Sequence, residues 1–188
     1  MYLEDKDNGL SFRNYKNYLL IGSGGHRTGQ KGEGYKPAEE LRRLHFPEAP
    51  IEYRFAAQDC ISLDSIPYIG KYSERSNDLY VATGFNKWGM TSSMVASDIL
   101  SDMVMGKKNP FEDVFSPSRS VLHPTLVTNI LHSVVGLLTP TTPRCPHLGC
   151  ALKYNKAENS WDCPCHGSRF TQNGELIDNP ATDDLKRD

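Results

Sequence analysis

The sequence predicts an α+β fold in two parts: a stretch of strands plus helices, then a small all-β subdomain rich in cysteine and histidine. Three observations predict it. Before about residue 115, apolar runs of strand length alternate with segments of helical period. After residue 140 the apolar residues alternate in short pieces separated by Asn- and Gly-containing turns. Four of the five cysteines and two of the six histidines fall between Cys145 and His166.

The composition narrows the classes. A length of 188 residues allows one domain, or one and a fraction. With 38% hydrophobic residues and a net charge of −2, neither nucleic acid nor an anionic membrane is an expected partner. No stretch approaches the roughly 18 apolar residues of a membrane span. The start, Met1 to Asp7, has no apolar signal-peptide core, so a cytoplasmic location is expected. Cys60 stands alone and reads as a small core residue.

Taken in order, residues 1–18 are polar and tyrosine-rich. Asn17 to Ile21 reads as a buried strand running into Gly22-Ser23-Gly24-Gly25-His26-Arg27-Thr28-Gly29. A dinucleotide-binding turn is rejected there. Arg27 stands where G-x-G-x-x-G needs its third glycine, and no helical period follows. A strand leaving into a loop is the better account, with His26 solvated. Lys36 to Leu44 is a short helix with Pro37 in its first turn, ended by Pro47 and Pro50. Ile51 to Ala56 alternates as a half-buried strand does. Leu79 to Gly84 is a further strand. A helix runs from about Ser92 to Met105, with Met94, Val95, Ile99, Met103 and Val104 at helical spacing, Thr91 as N-cap and Gly106 as its stop.

The run Asp64 to Gly70, the strand from Leu79, and the turn Gly84 to Thr91 with its helix resemble the C-terminal end of FAD-dependent amine and D-amino-acid oxidoreductases (DAO type). The resemblance covers roughly residues 10–115. It implies that the glycine-rich turn and helix start lie against the flavin, which makes Gly84, Phe85, Trp88, Gly89, Met90 and Thr91 candidate FAD contacts. The chemistry is suitable: glycines permit close approach to a ring, and the positive end of a helix favours negative charge. Family members open with a βαβ unit that binds the FAD pyrophosphate, and no such unit is present here. The chain therefore reads as the C-terminal portion of a longer flavoprotein, with an N-terminal FAD-binding half as its missing partner. Alone, it is expected to be inactive in substrate oxidation and to hold FAD weakly; tight binding in isothermal titration would overturn this.

Residues 107–125 read as a connection over a surface. Leu126 to Leu138 forms one apolar helix whose stripe packs against a neighbour as core, with His132 in a structural role. Thr139 to Pro143 stiffens the entry to the next segment. Ala151 to Asn155 and Ser160 to Asp162 then form one hairpin about the turn Lys156 to Asn159. Arg169 to Thr171 and Leu176 to Ile177 form a second.

The cysteines and histidines sit in two short loops, Cys145-Pro146-His147-Leu148-Gly149-Cys150 and Cys163-Pro164-Cys165-His166-Gly167-Ser168. Their spacing is C-x-H, fifteen residues, then C-x-x-H. This pattern resembles the Rieske [2Fe-2S] family over roughly residues 140–184. Such a centre takes two Cys on one iron and two His on the other. The resemblance implies Cys145, His147, Cys163 and His166 as the metal ligands. It further implies a Cys150–Cys165 disulfide tying the loops, Ser168 as a donor to a bridging sulfide, and Asn179-Pro180-Ala181 as the covering proline loop. The alternative is a Cys2His2 zinc module without redox activity. Zinc sites group like ligands, whereas each loop here is mixed and the second cysteine pair is surplus.

Mixed ligation raises the potential to roughly −150 to +300 mV, against about −400 mV for all-Cys centres. In the high-potential branch a tyrosine, two positions after the serine, donates to a cysteine sulfur. Phe170 stands there instead, so a lower potential is expected. Phe170→Tyr is predicted to raise it, and voltammetry showing no rise would refute this. The predicted division is a partial flavoprotein segment (substrate/FAD domain) at 1–115, a connection at 116–139 and a reduced Rieske domain at 140–188. The predicted function is electron transfer in an FAD-dependent oxidoreductase acting on an amine or amino acid, with an unknown electron acceptor.

Overall fold

The computed structural model describes residues 2–3, 9–140 and 143–186. Thr141 and Thr142 of the predicted stiff entry lie outside these. The chain divides into two units, one of residues 1–56 with 131–188 and one of residues 57–130.

In the first unit, β1 (Tyr2–Leu3), β2 (Ser11–Tyr15) and β3 (Tyr18–Gly22) form an antiparallel meander. Lys16 and Asn17 make the β2–β3 turn, with Lys16 at φ 53°, as a two-residue hairpin requires. A buried strand is expected from Asn17 to Ile21. Instead it pairs with β2 and is partly open, Tyr18 being 44% exposed, because a single sheet buries only one face. Helix α1 (Lys36–His45) starts with Pro37 in its first turn. Arg42 closes its end by donating from Nη1 to the carbonyls of Phe46, Pro47 and Ala49 at 3.4, 2.8 and 2.9 Å. The expected strand from Ile51 to Ala56 is not formed. Alternation alone does not make a strand without a neighbour to pair with, and Tyr53 and Phe55 are exposed. The segment is tied by an Arg54–Glu39 ion pair at 3.0 Å and an edge contact of Tyr53 on Tyr18.

In the second unit, β4 (Tyr68–Lys71) and β5 (Tyr80–Thr83) pair antiparallel, with Ile69 opposite Ala82. Helix α2 (Gly89–Val104) packs Ala96 and Ile99 against Ile69. Full burial of Ile69 and Ile99 contributes about 1.5–3 kcal/mol each. The helix begins three residues before the predicted start. Trp88, not Thr91, is its N-cap, and it makes no side-chain capping bond. Its end is as predicted: Gly106 takes φ 67°, its N–H donates to Met103 O (3.1 Å), and Lys107 N–H donates to Asp102 O (2.8 Å). Buried Asn109 then bonds Asp98 and Asp102 at 3.2 and 2.9 Å. The connection holds one turn of helix, α3 (Glu112–Phe115). After it, Arg119 pairs with Asp64 at 2.8 and 2.9 Å and donates to the carbonyls of Ile66 and Pro67. This guanidinium holds the Asp64 carboxyl well below the usual carboxylate range.

Helix α4 (Pro124–Leu138) forms where expected but does not serve as core: Val127, Ile130, Leu131, Val134, Val135 and Leu138 are exposed, and Gly136 is its buried residue. Strands β6 (Lys153–Asn155), β7 (Ser160–Asp162), β8 (Arg169–Thr171) and β9 (Leu176–Asp178) make an antiparallel sheet in that order, as the two predicted hairpins require. On this sheet buried Arg169 bonds Asp162 at 3.2 Å, lies 3.4 Å from Glu158 and 3.7 Å from Asp178, and shares Asp162 with Ser160.

Candidate metal centre

Two loops project from this sheet, and their backbones repeat one pattern. In the first, Cys145 N–H donates to Cys150 O (2.9 Å) and Gly149 N–H returns to Cys145 O (2.9 Å). In the second, Cys163 N–H donates to Ser168 O (2.8 Å) and Gly167 N–H returns to Cys163 O (3.0 Å). Each turn closes over the residue five positions ahead and needs a glycine at the fourth. Gly149 and Gly167 take φ 74° and 91°, which a residue with a Cβ resists.

The pattern turns both cysteine sulfurs inward. Cys145 and Cys163 are buried, and their sulfurs lie within hydrogen-bond reach of each other. Backbone N–H groups of His147 and Leu148 point at Cys145 Sγ, and those of Cys165 and His166 point at Cys163 Sγ. Cys145 is lowered to about 5, chiefly by the hydrogen bond from Cys163. Cys163, which keeps the proton for that bond and is buried, is pushed up. A site that eases loss of the Cys145 proton, and surrounds both sulfurs with N–H dipoles, suits a cation.

The imidazoles take the other side. His147 and His166 are exposed, with ring centroids 5.0 Å apart and planes at 89°. Burial, then the neighbouring His147, pushes the His166 imidazole below its ordinary range, toward the neutral form that a metal requires. The predicted ligand residues are thus brought together, sulfurs inside and imidazoles at the surface.

The expected disulfide is present: Cys150 and Cys165 are bonded, with Cα atoms 6.6 Å apart. Their sulfurs lie within 4.8 Å of Cys163 Sγ, but as a disulfide they are not thiolate ligands. Ser168, fully buried, accepts the Ala181 N–H at 3.0 Å and donates its hydroxyl to Cys145 Sγ. The covering segment Asn179 to Ala181 is therefore fastened to the residue that reaches the sulfur. Phe170 lies fully buried in the same core.

Sequence reasoning missed three residues that hold this site. Gly136 seats α4 on the disulfide: a Cβ there would stand 2.7 Å from Cys165 Sγ. Arg144 donates to the carbonyls of Leu137, Thr139 and Gly149, joining the helix end to the first loop. With Ala151 N–H on Gly136 O (2.9 Å), the end of α4 has its orphan carbonyls satisfied by the loop that it supports. Arg27, from the glycine-rich loop, reaches the Pro164 carbonyl. That loop takes fourteen residues, Ser23 to Lys36, to reach the first residue of α1, so it is not a phosphate-binding turn. Its exposed His26 bonds Gly24 O at 3.1 Å.

The candidate FAD contacts run from the turn after β5 into the first turn of α2. Gly84 takes φ 68°, and Asn86 anchors the turn by donating to Ser65 O and accepting from Ser62 N–H. Trp88 and Met90 are exposed, Met90 by 85%, and nothing lies within 4 Å of a Cβ built at Gly89. The first turn of α2 thus presents uncapped N–H groups and an open apolar surface, which fit a planar, partly anionic ring system. Cys60 is exposed, against its core assignment. No helix among the described residues is long and apolar enough to cross a membrane.

A family model described as FAD dependent oxidoreductase matches residues 1–103, and one described as Rieske [2Fe-2S] domain matches residues 127–187. The chain is similar to a Bacillus subtilis (strain 168) protein provisionally named Rieske 2Fe-2S iron-sulfur protein YhfW, at 34% identity over 236 aligned positions, covering 100% of this chain and 46% of that one. It is also similar to the cytochrome b6-f complex iron-sulfur subunits of Fritillaria agrestis (chloroplastic; 51% identical over 37 residues, 20% of this chain and 16% of that one) and Synechococcus sp. strain JA-3-3Ab (48% over 42 residues, 22% and 24%). The chain thus spans less than half the length of each of these relatives. No solved structure matches it at a significant level.

Proposed function

Because the chain belongs to the FAD dependent oxidoreductase family and carries a Rieske [2Fe-2S] domain, we propose that it works as the electron-transfer part of an enzyme oxidising an amine or amino acid. A [2Fe-2S] cluster supplies one-electron transfer and FAD supplies two-electron oxidation of the substrate. Cys145 and Cys163 hold one iron, and His147 and His166 hold the other. The four backbone N–H groups and the Ser168 hydroxyl offset the thiolate charge. The two imidazoles and exposed Leu148 form the port at which a donor or acceptor docks.

The segment Gly84 to Thr91 takes the flavin ring: Gly89, open on its Cβ side, lets the backbone approach, Trp88 and Met90 supply apolar surface, Thr91 lies in the first helical turn, and Gly84 at φ 68° with Phe85 packed on the Ile69–Ile99 core holds the turn in place. The glycine-rich loop after β3 is not a phosphate-binding turn, so no residue here is assigned to the FAD pyrophosphate. We assign residues 1–115 to the flavoprotein portion, 116–139 to the connection and 140–188 to the Rieske portion.

The observation that carries this reading is the pair of like-patterned loops with sulfurs buried and imidazoles exposed. EPR of the dithionite-reduced protein, beside an iron and zinc assay, tests it. The expected result is a rhombic signal of low average g with about two irons per chain, as a mixed His/Cys cluster gives. A colourless, EPR-silent protein holding zinc after iron–sulfur reconstitution would refute it in favour of a structural zinc module.

A further inference from the structure

The loop between β3 and α1 meets the second cluster loop at the residue between Cys163 and Cys165. Arg27 Nη2 reaches Pro164 O at 3.4 Å, across 137 positions of sequence. Two residues later Gly29, at φ 73°, passes so close that a Cβ would stand 2.6 Å from Pro164 N and 2.7 Å from its Cα. The turn is closed by Gln30 N–H on Arg27 O at 3.1 Å. Beyond it, a Cβ at Gly34 would stand 3.0 Å from the Ala157 Cβ in the β6–β7 turn. Contacts at Pro164 and at Ala157 show that the loop is seated on the cluster subdomain at two places. The glycine at its closest point is required both by φ and by space.

We propose that Arg27 is a positioning residue that raises the reduction potential of the cluster, and that Gly29 exists to let it approach. This rests on the cluster reading above. Two ferric ions, two sulfides, two thiolates and two neutral imidazoles sum to no net charge. Taking one electron from a donor reduces one ferric ion to ferrous and leaves one negative charge. A fixed cation nearby stabilises the reduced form over the oxidised form. A guanidinium keeps its charge at every working pH. Its bond to Pro164 O holds that charge against the second cluster loop, at the residue that follows Cys163 and precedes His166 by two. The loop belongs to the flavoprotein portion of the sequence, so the potential of one portion is set by a residue of the other.

The test uses the full chain with its cluster reconstituted, as wild type, Arg27→Gln, Arg27→Lys and Gly29→Ala. Midpoint potentials are read by EPR-monitored titration with dithionite at one pH, at low and at high salt. The expected result is a downward shift in Arg27→Gln, a smaller one in Arg27→Lys, and a downward shift in Gly29→Ala as the loop is lifted. The gap between wild type and Arg27→Gln should narrow in high salt. If Gly29→Ala does not fold, the two Arg27 variants decide. Equal potentials for wild type and Arg27→Gln at low salt overturn the proposal and leave the cluster reading standing. A wild type without a Rieske signal after reconstitution overturns both.

Discussion

Helix α4 and the sheet β6–β9 are neighbours in the chain and treat their apolar side chains in opposite ways. On the sheet and its loops, Phe170, Leu152, Ala181 and the cysteines form one buried cluster. On α4, Leu131, Val135 and Leu138 stand in the open, Leu138 by 77%. The sheet's core is built around the sulfurs of Cys145 and Cys163, so in that region the packing that folds the chain is also the packing that forms the candidate site. The helix is attached by other means: a glycine against the disulfide, the Ala151 N–H on Gly136 O, and Arg144 on its last carbonyls. An element can support a metal centre with almost none of its own apolar surface buried.

Substitutions on each side test that contrast. Arg169→Ala leaves Asp162 buried without its charge partner. It is expected to cost about 3–5 kcal/mol, read as a shifted denaturation midpoint of the β6–β9 subdomain. Gly136→Ala sets two effects against each other. Alanine favours the helix by about 1 kcal/mol, but a Cβ 2.7 Å from Cys165 Sγ overpacks the seat by about 1–3 kcal/mol. The predicted outcome is a net loss of about 1 kcal/mol, and a gain in stability would show that the seat yields. Leu131→Gln, on the open face, is expected to change stability by less than about 0.5 kcal/mol. A loss several times larger would mean that this face is covered in solution, and would erase the contrast.

The sequence exposed the parts governed by local rules. The C-x-H and C-x-x-H loops, the turns at Asn159 and Gly174, Pro37 in the first turn of α1 and Gly106 after α2 were all legible, because each requirement falls within a few residues. The hairpin partner β2 was missed because Lys16-Asn17 is a weaker turn signal than Asn-Gly. Ile51 to Ala56 has a strand's alternation but no pairing partner, which no window of sequence reveals. Above all, the arginines were illegible. Arg119 acts on Asp64 at a separation of 55 and Arg27 on Pro164 at 137. Arg144, only five residues from Thr139 and from Gly149, joins a helix end to a loop whose fold must be known first.

The seat of α4 on the disulfide bears on how that bond survives. Thiol–disulfide exchange proceeds by in-line attack of a thiolate on one sulfur. Cys150 is buried, and the backbone of Gly136 stands against Cys165 Sγ where an attacking glutathione would need room. Reduction of the Cys150–Cys165 bond is then expected to be slowed by the helix seated on it. A disulfide held in this way says little about the compartment it lives in. Its presence in a reducing one would be a matter of rate.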